Sequence, residues 1–468
     1  MSALRPPLEL RPHLEREVLG WWDREGADDR LGGVRTCFTN RGEPVSREKY
    51  TWSQGRWAWT CALVAEQIEA GRLSGDSALW RRRSLQTADF LVGHGFLPDG
   101  RTSFRLSESG EQLADEDGEL AISVFADLFA VLGLAGAART APGGMPGAVP
   151  TAVPASVPTA VPTAVPTAVP ASVPTAVSAA VSAAGPAAGQ NSERWLNQAR
   201  RTLLGAETSI RDRTAKSAPY PVPAGFTDLA GPMTLLHVAA ELYRAAPSDE
   251  VLAVITRARN SLLGGETSFL STEIWWEFRP DQPRDRDTLL ARHVTPGHLL
   301  ELLWMLVRVG DQHPQLAVPD ATLTALALRA LETGWDTSEG GLLRYVDRES
   351  GGAPVGRLLE TPYEALVQRT WDTKLWWVHA EAMYATALLA RRTGSVELAR
   401  WAERVREYTL GTFPDPGGQE WLQNRRRDGS PLDEVVALPV KDPMHIARSL
   451  LLLNALEHDP APTEEKTS

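Results

Sequence analysis

The sequence predicts an all-α fold in which six helical hairpins close into a ring, an (α/α)6 barrel or toroid. Two observations lead to this prediction. Apolar residues recur at helical spacing along most of the 468-residue chain, rather than in the alternation typical of strands. Strand-like runs are short and fall between the helical segments, as at 342–346. Helices arranged in this way are expected to pair into hairpins around one core.

We expect twelve helices. They cover residues 9–24, 53–70, 77–94, 119–138, 191–204, 230–245, 249–263, 297–309, 320–333, 371–392, 396–411 and 444–457. In such a ring the odd-numbered helices lie outside and the even-numbered helices line the centre, so the even ones should be apolar around their whole circumference. Segments 57–65, 383–390 and 449–453 meet this expectation, whereas the first helix carries a charged face.

A proline-rich segment interrupts the helical pattern. Between Ala148 and Val177 a proline stands at every fourth position, from Pro150 to Pro174. Proline lacks a backbone N–H and disfavours the α conformation in the residue before it, so the segment is expected to be extended and mobile. The sequence therefore predicts a single barrel domain over residues 1–468, interrupted by a low-complexity insertion over 142–190.

Composition excludes several classes of function. The net charge of -11 argues against a surface for nucleic acid or anionic membranes, which needs clustered Lys and Arg. No apolar run is long enough to cross a membrane. Cys37 and Cys61 are the only cysteines, too few for a disulfide framework or a cysteine-rich zinc site, so we expect a cytoplasmic protein. The 16 tryptophans weakly favour carbohydrate binding, because indole rings stack on sugars.

Polar residues interrupt four of the even helices, and three of these groups lie near a helix start. They occupy residues 52–56, 296–301, 374–381 and 442–448. In an up-down ring the N-termini of the even helices share one rim. The four groups are therefore predicted to converge on one pocket.

Three of these groups contain candidate catalytic residues. His298 and Glu301 are three residues apart and share a helix face, and a carboxylate beside a histidine orients its tautomer for work as a general base. His445 follows Pro443 at a helix start, where the positive end of the helix dipole favours a neutral imidazole. Arg56 is a fixed cation able to hold an enolate oxygen.

Other residues of the same groups are candidates for substrate binding. Glu381 and Lys374 could bind sugar hydroxyls, with Trp377 or Trp376 as a stacking face, although an ion pair or a core position would explain them as well. The further candidates are Trp52, Gln54 and His379. By spacing alone His237 and His293 are interpreted as structural, and the remaining histidines as surface residues: His13, His94, His313 and His458.

Several kinds of site have no support in the sequence. There is no HExxH motif, and His298 with Glu301 supplies only two ligands, so no metal site is expected. Neither cysteine stands near a histidine group and no GxSxG occurs, which disfavours a nucleophilic enzyme. A glycoside hydrolase or lyase would need paired carboxylates, whereas the paired groups here are imidazoles.

Five stretches together resemble the N-acylglucosamine 2-epimerase family, in order from about Leu10 to Leu456. They are residues 32–37, residues 50–56, Pro296-Gly297-His298 with Glu301, residues 374–377 with His379 and Glu381, and His445 with Arg448. The resemblance implies an (α/α)6 barrel that inverts C2 of an open-chain sugar.

By the same resemblance, His298 and His445 are the acid/base pair, Arg56 stabilises the enediolate and Glu301 supports His298. Glu381 and Trp377 would hold the substrate. No metal or redox cofactor is required, ATP is a candidate allosteric activator, and a homodimer is compatible with the family.

The choice of substrate stays open between interconversion of N-acylglucosamine with N-acylmannosamine and two alternatives. One is aldose–ketose isomerisation or 2-epimerisation of unmodified sugars such as mannose or cellobiose, and the other is a non-catalytic binding toroid. Pro232-Met233 is similar to the N-acylglucosamine type, but His237 falls close to a further histidine of cellobiose 2-epimerases and mannose isomerases. Asp442 would add a negative charge near the pocket, which weighs against acylamino specificity.

Overall fold

The computed structural model describes residues 8–115, 117–142, 186–265, 268–434 and 440–458. In this part of the chain, the first long helix, α1, begins as Leu10–His13 and continues through π-helical turns at Leu14–Leu19 and Trp22–Gly26. The other long helices are α2 (Thr51–Glu69), α3 (Ser77–Phe90, extended by a π-helical turn at Leu91–Gly95), α4 (Val124–Thr140), α5 (Pro186–Arg211), α6 (Ala230–Ala245), α7 (Asp249–Leu263), α8 (Pro296–Gln312), α9 (Asp320–Gly334), α10 (Trp376–Thr393), α11 (Val396–Thr412) and α12 (His445–His458). Short helices at Pro283–Asp285, Leu289–Arg292, Pro314–Leu316 and Pro362–Thr370 lie in the connections.

The even-numbered helices form a closed inner ring. Helix α2 packs on α4, α4 on α6, α6 on α8, α8 on α10 and α10 on α12, and α12 returns to α2. The odd helices pack outside against the even ones: α3 contacts α2 and α4, α5 contacts α4 and α6, and α9 contacts α8 and α10. Burial follows this division: α4 is buried almost all round, whereas α7 buries a single stripe that includes Val251, Ile255 and Leu262. The predicted (α/α)6 barrel is confirmed.

Four antiparallel two-stranded ladders hold the rim on which the even helices begin. The pairs are β1 (Lys49–Tyr50) with β2 (Arg105–Leu106), β3 (Phe226–Asp228) with β4 (Phe278–Pro280), β5 (His293–Val294) with β6 (Val346–Asp347), and β7 (Lys374–Leu375) with β8 (Asn424–Arg425). The first strand of each pair directly precedes α2, α6, α8 or α10. The ladders therefore tie the N-terminus of each of these helices to the segment that connects the next odd helix to the even helix after it.

Several helix boundaries differ from the sequence prediction, as at α4, which begins at Val124 rather than at 119, and one helix was missed. Helix α10 starts at Trp376 rather than at 371, because Lys374–Leu375 pair with β8 as a strand. A helix over Pro362–Thr370 was missed, although its start carries a capping box between Thr361 and Glu364.

The predicted insertion over 142–190 can be assessed only at its edges. Residues 143–185 lie outside the described part of the chain. Helix α5 begins at Pro186, so the backbone of 186–190, at the end of the predicted insertion, is helical. Among the described residues, no helix combines the length and apolarity that a membrane crossing requires.

Candidate active site

A cavity of about 310 Å³ opens at the rim where the even helices begin. All six even helices contribute to its wall, which includes Trp52, Arg56, Phe129, Met233, His237, His298, Glu301, Trp377, His445 and Arg448. The positive ends of the helix dipoles point towards this space and favour a ligand that develops negative charge. The polar groups at the starts of α2, α8, α10 and α12 therefore lie together at one site, as the ring topology predicted.

His298, on the first turn of α8, is held by a buried carboxylate. Its Nδ1 lies 2.7 Å from Oε1 of Glu277, and its ring packs against Trp377 with the two centroids 4.9 Å apart. Burial lowers the pKa of His298, but the charge and hydrogen bond of Glu277 outweigh burial and leave the pKa above its ordinary value. When Nδ1–H donates to the carboxylate, Nε2 carries the lone pair that can take a proton.

The predicted support of His298 by Glu301 is electrostatic only: the charge of Glu301 helps to raise the pKa of His298, but Glu301 makes no hydrogen bond to the ring. Oε1 of Glu301 accepts a hydrogen bond from Arg448 at 2.9 Å, because Arg448 reaches across the ring from α12. Glu277 makes the hydrogen bond to His298 that was predicted for Glu301. It lies in the connection between α7 and α8, 21 residues before His298, where helical spacing gives no signal.

His445, the first residue of α12, has two charged neighbours at one ring nitrogen. Its Nδ1 lies 2.9 Å from Oε1 of Glu381 and 3.1 Å from Nη2 of Arg448. Nδ1 can therefore donate to the carboxylate or accept from the guanidinium, so both neutral tautomers have a partner. Its backbone N–H donates to Oδ2 of Asp442 at 2.8 Å, and this carboxylate caps the helix.

Glu381 lies beneath the cavity wall and was wrongly predicted to touch the substrate. Its fully buried carboxylate accepts hydrogen bonds from Trp304 Nε1 at 2.7 Å, from Arg448 and from His445. Burial raises its pKa, but Arg448 and His445 outweigh burial and bring the pKa of Glu381 to about 2. This permanent anion positions His445.

Glu301, Glu381 and His445 offer ligand atoms within 4.8 Å of one another, the spacing of a metal site. Arg448 donates to both of these carboxylates. Its guanidinium therefore supplies the positive charge that a cation would supply, and the cluster is a poor fit for a metal.

Arg56 presents a positive charge inside the cavity. Its guanidinium lies 4.0 Å from the ring centroid of Phe129 and 5.3 Å from that of Trp52, and Nη1 is 3.7 Å from Oδ1 of Asp442. Burial lowers the pKa of Arg56, but arginine stays protonated near neutral pH. The negative charge expected at Asp442 is therefore present and faces Arg56.

Lys374 and Gln54 were predicted to bind substrate, but both are buried and bonded to the protein. Nζ of Lys374 donates to the carbonyl of Gly340 and lies 3.4 Å from Oδ2 of Asp336. The Gln54 amide accepts from the backbone N–H of Val34 at 2.7 Å and donates to its carbonyl at 2.8 Å. These side chains order the connections around the rim, so the alternative interpretation as structural residues holds for both.

His379 is likewise structural. Its Nδ1 donates to the carbonyl of Leu375 at 2.8 Å and its Nε2 accepts from the backbone N–H of Leu342 at 2.9 Å. Burial lowers the pKa of His379 to about 3, so the ring is neutral. Its predicted contact with substrate was wrong because the ring already binds backbone at both nitrogens.

Of the remaining histidines, some have the buried or exposed position that was predicted and others do not. His293 is buried and donates to backbone, and His94 and His458 are exposed, as expected. His13 and His313 are buried, so their assignment to the surface was wrong. His237 lines the cavity, and burial lowers its pKa to about 3.

Several cavity residues come from connections that sequence reasoning passed over. Asp228, at the end of β3, faces the cavity with a pKa that burial raises to about 6. Glu277, Arg344 and Tyr363 reach the wall from segments outside the long helices. None of them stands at a helical spacing from a catalytic candidate, so tertiary contacts alone identify them.

Comparisons with known proteins agree on one family. The family model for N-acylglucosamine 2-epimerase (GlcNAc 2-epimerase) matches residues 243–448. The N-acylglucosamine 2-epimerase of Bos taurus is 24% identical over 457 residues, which cover 94% of this chain and 88% of that protein. The N-acylglucosamine 2-epimerase of Homo sapiens is 33% identical over 181 residues, covering 37% of this chain and 38% of the human protein.

Solved structures share the fold at low sequence identity. A sugar epimerase from a ruminal bacterium superposes with a TM-score of 0.67 at 16% identity, covering 96% of this chain and 99% of the other. A D-mannose isomerase gives 0.65 at 14% identity, covering 96% of each chain. Cellobiose 2-epimerase from Bacillus thermoamylovorans gives 0.65 at 16% identity, covering 95% and 97%.

Proposed function

We propose that this chain, which is similar to N-acylglucosamine 2-epimerases, interconverts N-acylglucosamine and N-acylmannosamine by inverting C2 of the open-chain sugar. One observation supports this chemistry above all. Two imidazoles, each bonded through Nδ1 to its own buried carboxylate, line one cavity from α8 and α12. Trp377 of the intervening helix packs against both rings, with its centroid 4.9 Å from that of His298 and 6.0 Å from that of His445.

The proposed reaction is a proton transfer between two faces of one carbon. One histidine removes the C2 proton, the electrons of the C2–H bond form a C1–C2 double bond, and those of the C1 carbonyl move onto its oxygen to give an enolate. Arg56 stabilises the negative oxygen, and the other histidine returns a proton to the opposite face. A well-placed acid or base contributes roughly 10²–10⁴-fold to the rate, so both histidines are needed. The chemistry uses side chains alone and calls for no redox cofactor.

The test is proton NMR of the purified protein with N-acetylmannosamine in D₂O. We expect N-acetylglucosamine to appear with deuterium at C2. His298→Asn and His445→Asn should each lower the rate of epimerisation by roughly 10²-fold or more. His94→Asn is the matched control, because His94 is exposed and lies away from the cavity. Retention of full activity in either cavity variant would contradict the proposal.

The same experiment separates the alternatives. An aldose–ketose isomerase moves the proton between C2 and C1 and yields a ketose from mannose. His237 is the observation that favours this second candidate, since it lines the cavity close to the place where the resemblance puts a further histidine. Assays with mannose, cellobiose and N-acetylmannosamine, each with and without ATP, decide between the substrates and test a nucleotide as activator. Sugar binding without any exchange of the C2 proton would indicate a non-catalytic toroid.

A cytoplasmic location is part of the same proposal. Cys37 and Cys61 are both free and buried, which suits a reducing compartment. Size-exclusion chromatography with light scattering tests the expected homodimer.

A further inference from the structure

Arg344 is a buried arginine in the cavity wall whose charge lacks a carboxylate partner among the described residues. It is 7% exposed, and its Nη1 is buried without a hydrogen-bond partner there. Two other deeply buried arginines are compensated by carboxylates: Arg139 binds Glu66 and Glu241, and Arg448 binds Glu301 and Glu381. Burying a guanidinium without an anion is costly, so its retention inside a ligand cavity calls for an explanation.

The position of Arg344 is fixed before any ligand arrives. Its backbone N–H donates to the carbonyl of Thr373 at 3.1 Å, and the next N–H, of Tyr345, donates to Trp371 at 3.1 Å. Its guanidinium lies 4.8 Å from the ring centroid of Tyr345, which offsets part of the cost of burial. A group held in this way can bind an anion with little loss of side-chain freedom.

The side chains around Arg344 are aromatic, and charges of both signs act on them: burial, Tyr345 and the charge of Glu277 raise the pKa of Tyr363. Tyr220, Tyr345 and Tyr363 line the same part of the cavity, with the rings of Tyr220 and Tyr363 6.3 Å apart in an edge-to-face contact. Burial raises the pKa of Tyr220, while Arg344 and Arg369 oppose this rise, so two guanidinium groups act on its hydroxyl. An anion near this hydroxyl would be attracted by both.

We propose that Arg344, with Tyr220 and Tyr363, forms a subsite for an anionic substituent of the sugar, a phosphate or a carboxylate carried away from C2. A guanidinium fork matches both groups and forms charge-assisted hydrogen bonds with them. Arg56 lies beside Asp442, which caps the helix of His445, and is proposed to stabilise the reacting oxygen. Arg344 is therefore available to bind a different part of the sugar. This inference rests on the proposed function and narrows its substrate to acidic N-acylhexosamines.

The test compares neutral and acidic substrates in wild type and Arg344→Met. The substrates are N-acetylmannosamine, its 6-phosphate, and the uronic acid that carries a carboxylate at C6. We expect wild type to prefer one of the acidic sugars in kcat/KM. Arg344→Met should lower kcat/KM for that sugar by about 10- to 100-fold, the range for a hydrogen bond to a charged group, and lower kcat/KM for the neutral sugar by a clearly smaller factor. The two acidic substrates tell phosphate from carboxylate.

Two further variants serve as a matched control and as a conservative replacement. Arg348→Met is the matched control, because Arg348 also stacks on an aromatic ring, 3.8 Å from the centroid of Trp276, but lies outside the cavity lining. Arg344→Lys keeps the charge without the fork and should restore part of the preference. Equal use of neutral and acidic sugars by wild type, or an unchanged preference in Arg344→Met, would overturn the subsite.

Failure of the proposed function would look different. In that case none of the sugars exchanges its C2 proton in D₂O, whichever residue stands at 344. Calorimetric titration of the 6-phosphate sugar and of the uronic acid into wild type and Arg344→Met then still decides the subsite. Tighter binding to wild type supports the subsite, and equal binding refutes it.

Discussion

At the scale of single residues, each candidate catalytic histidine depends on a different buried carboxylate. Glu277 binds His298 at 2.7 Å, and Glu381 binds His445 at 2.9 Å. A carboxylate in this position orients the imidazole ring, and at His298 the charge of Glu277 also raises the pKa of the ring. The two carboxylates are thus positioning residues, and their removal should have effects that differ in kind from removal of the histidines.

Glu277→Gln should lower the pKa of His298, because the charge of Glu277 holds that pKa above its ordinary value. In the direction where His298 is the base, the acidic limb of the pH profile of kcat/KM should move to lower pH. In the reverse direction, where it is the acid, the alkaline limb should move to lower pH as well. Profiles measured in both directions check this. Glu349→Gln, at an exposed ion pair, is the control, and unshifted limbs in Glu277→Gln would contradict the assignment.

Glu381→Gln should destabilise the fold, because it leaves the buried guanidinium of Arg448 with one carboxylate fewer. Breaking a buried ion pair costs about 3–5 kcal/mol in free energy of unfolding, which urea denaturation at pH 7 measures. The pKa of Glu381 is depressed to about 2. Its contribution is therefore present above the ordinary glutamate pKa and lost as pH falls towards 2. The difference between wild type and variant should shrink over this interval, and a constant difference would argue against a charged Glu381.

At the scale of elements, helices α2 and α4 touch backbone to backbone beneath the cavity. A Cβ added at Gly55 would lie 1.9 Å from the carbonyl oxygen of Phe129, and one at Gly133 would lie 2.7 Å from the carbonyl oxygen of Gly55. Such close approach is open only to glycine. Arg56 follows Gly55 directly, so this contact between α2 and α4 also sets the position of the positive charge of Arg56 in the cavity.

Gly55→Ala should therefore force α2 and α4 apart, with a loss of several kcal/mol, roughly the upper range for overpacking. Activity should fall as well, because Arg56 moves with its helix. Gly205→Ala, in α5, is the matched control, since the added methyl group meets nothing within 4 Å. The control should gain up to about 1 kcal/mol from higher helix propensity. Urea denaturation and the epimerisation assay measure both variants, and equal stability of the two would refute the close-packing argument.

At the scale of the whole molecule, the described ring and cavity wall are built from residues on either side of 143–185. Helix α4 ends at Thr140 and α5 begins at Pro186, and both pack on the inner ring. The cavity residues named above come from the helix starts and ladders of the opposite rim.

Replacing residues 148–177 with a short glycine-serine linker should therefore leave kcat/KM unchanged. A shorter closing loop costs less entropy, by about 0.6 kcal/mol for each halving of its length, so the free energy of unfolding should rise slightly. Steady-state kinetics and urea denaturation check both expectations. A large loss of activity with normal stability would show that the proline-rich segment takes part in the reaction.

The sequence by itself determined the fold and the two histidines. Helical spacing of apolar residues is a local property, and it placed α6 and α7 at their observed bounds. Alternation of helices then put the starts of α8 and α12 on one rim, which brought His298 and His445 into one cavity.

Only the tertiary structure decided which residues hold them and which residues face the substrate. Glu277 and Glu381 stand 21 and 64 residues from the histidines they bind, so no periodicity connects them. Lys374, Gln54 and His379 were predicted to bind substrate from their positions in the sequence. In the structure each side chain is buried and hydrogen-bonds to a backbone carbonyl. The physical reason is that a helical pattern specifies which face of a helix is buried, whereas the partner of a buried polar group is chosen by whatever other segment packs against that face.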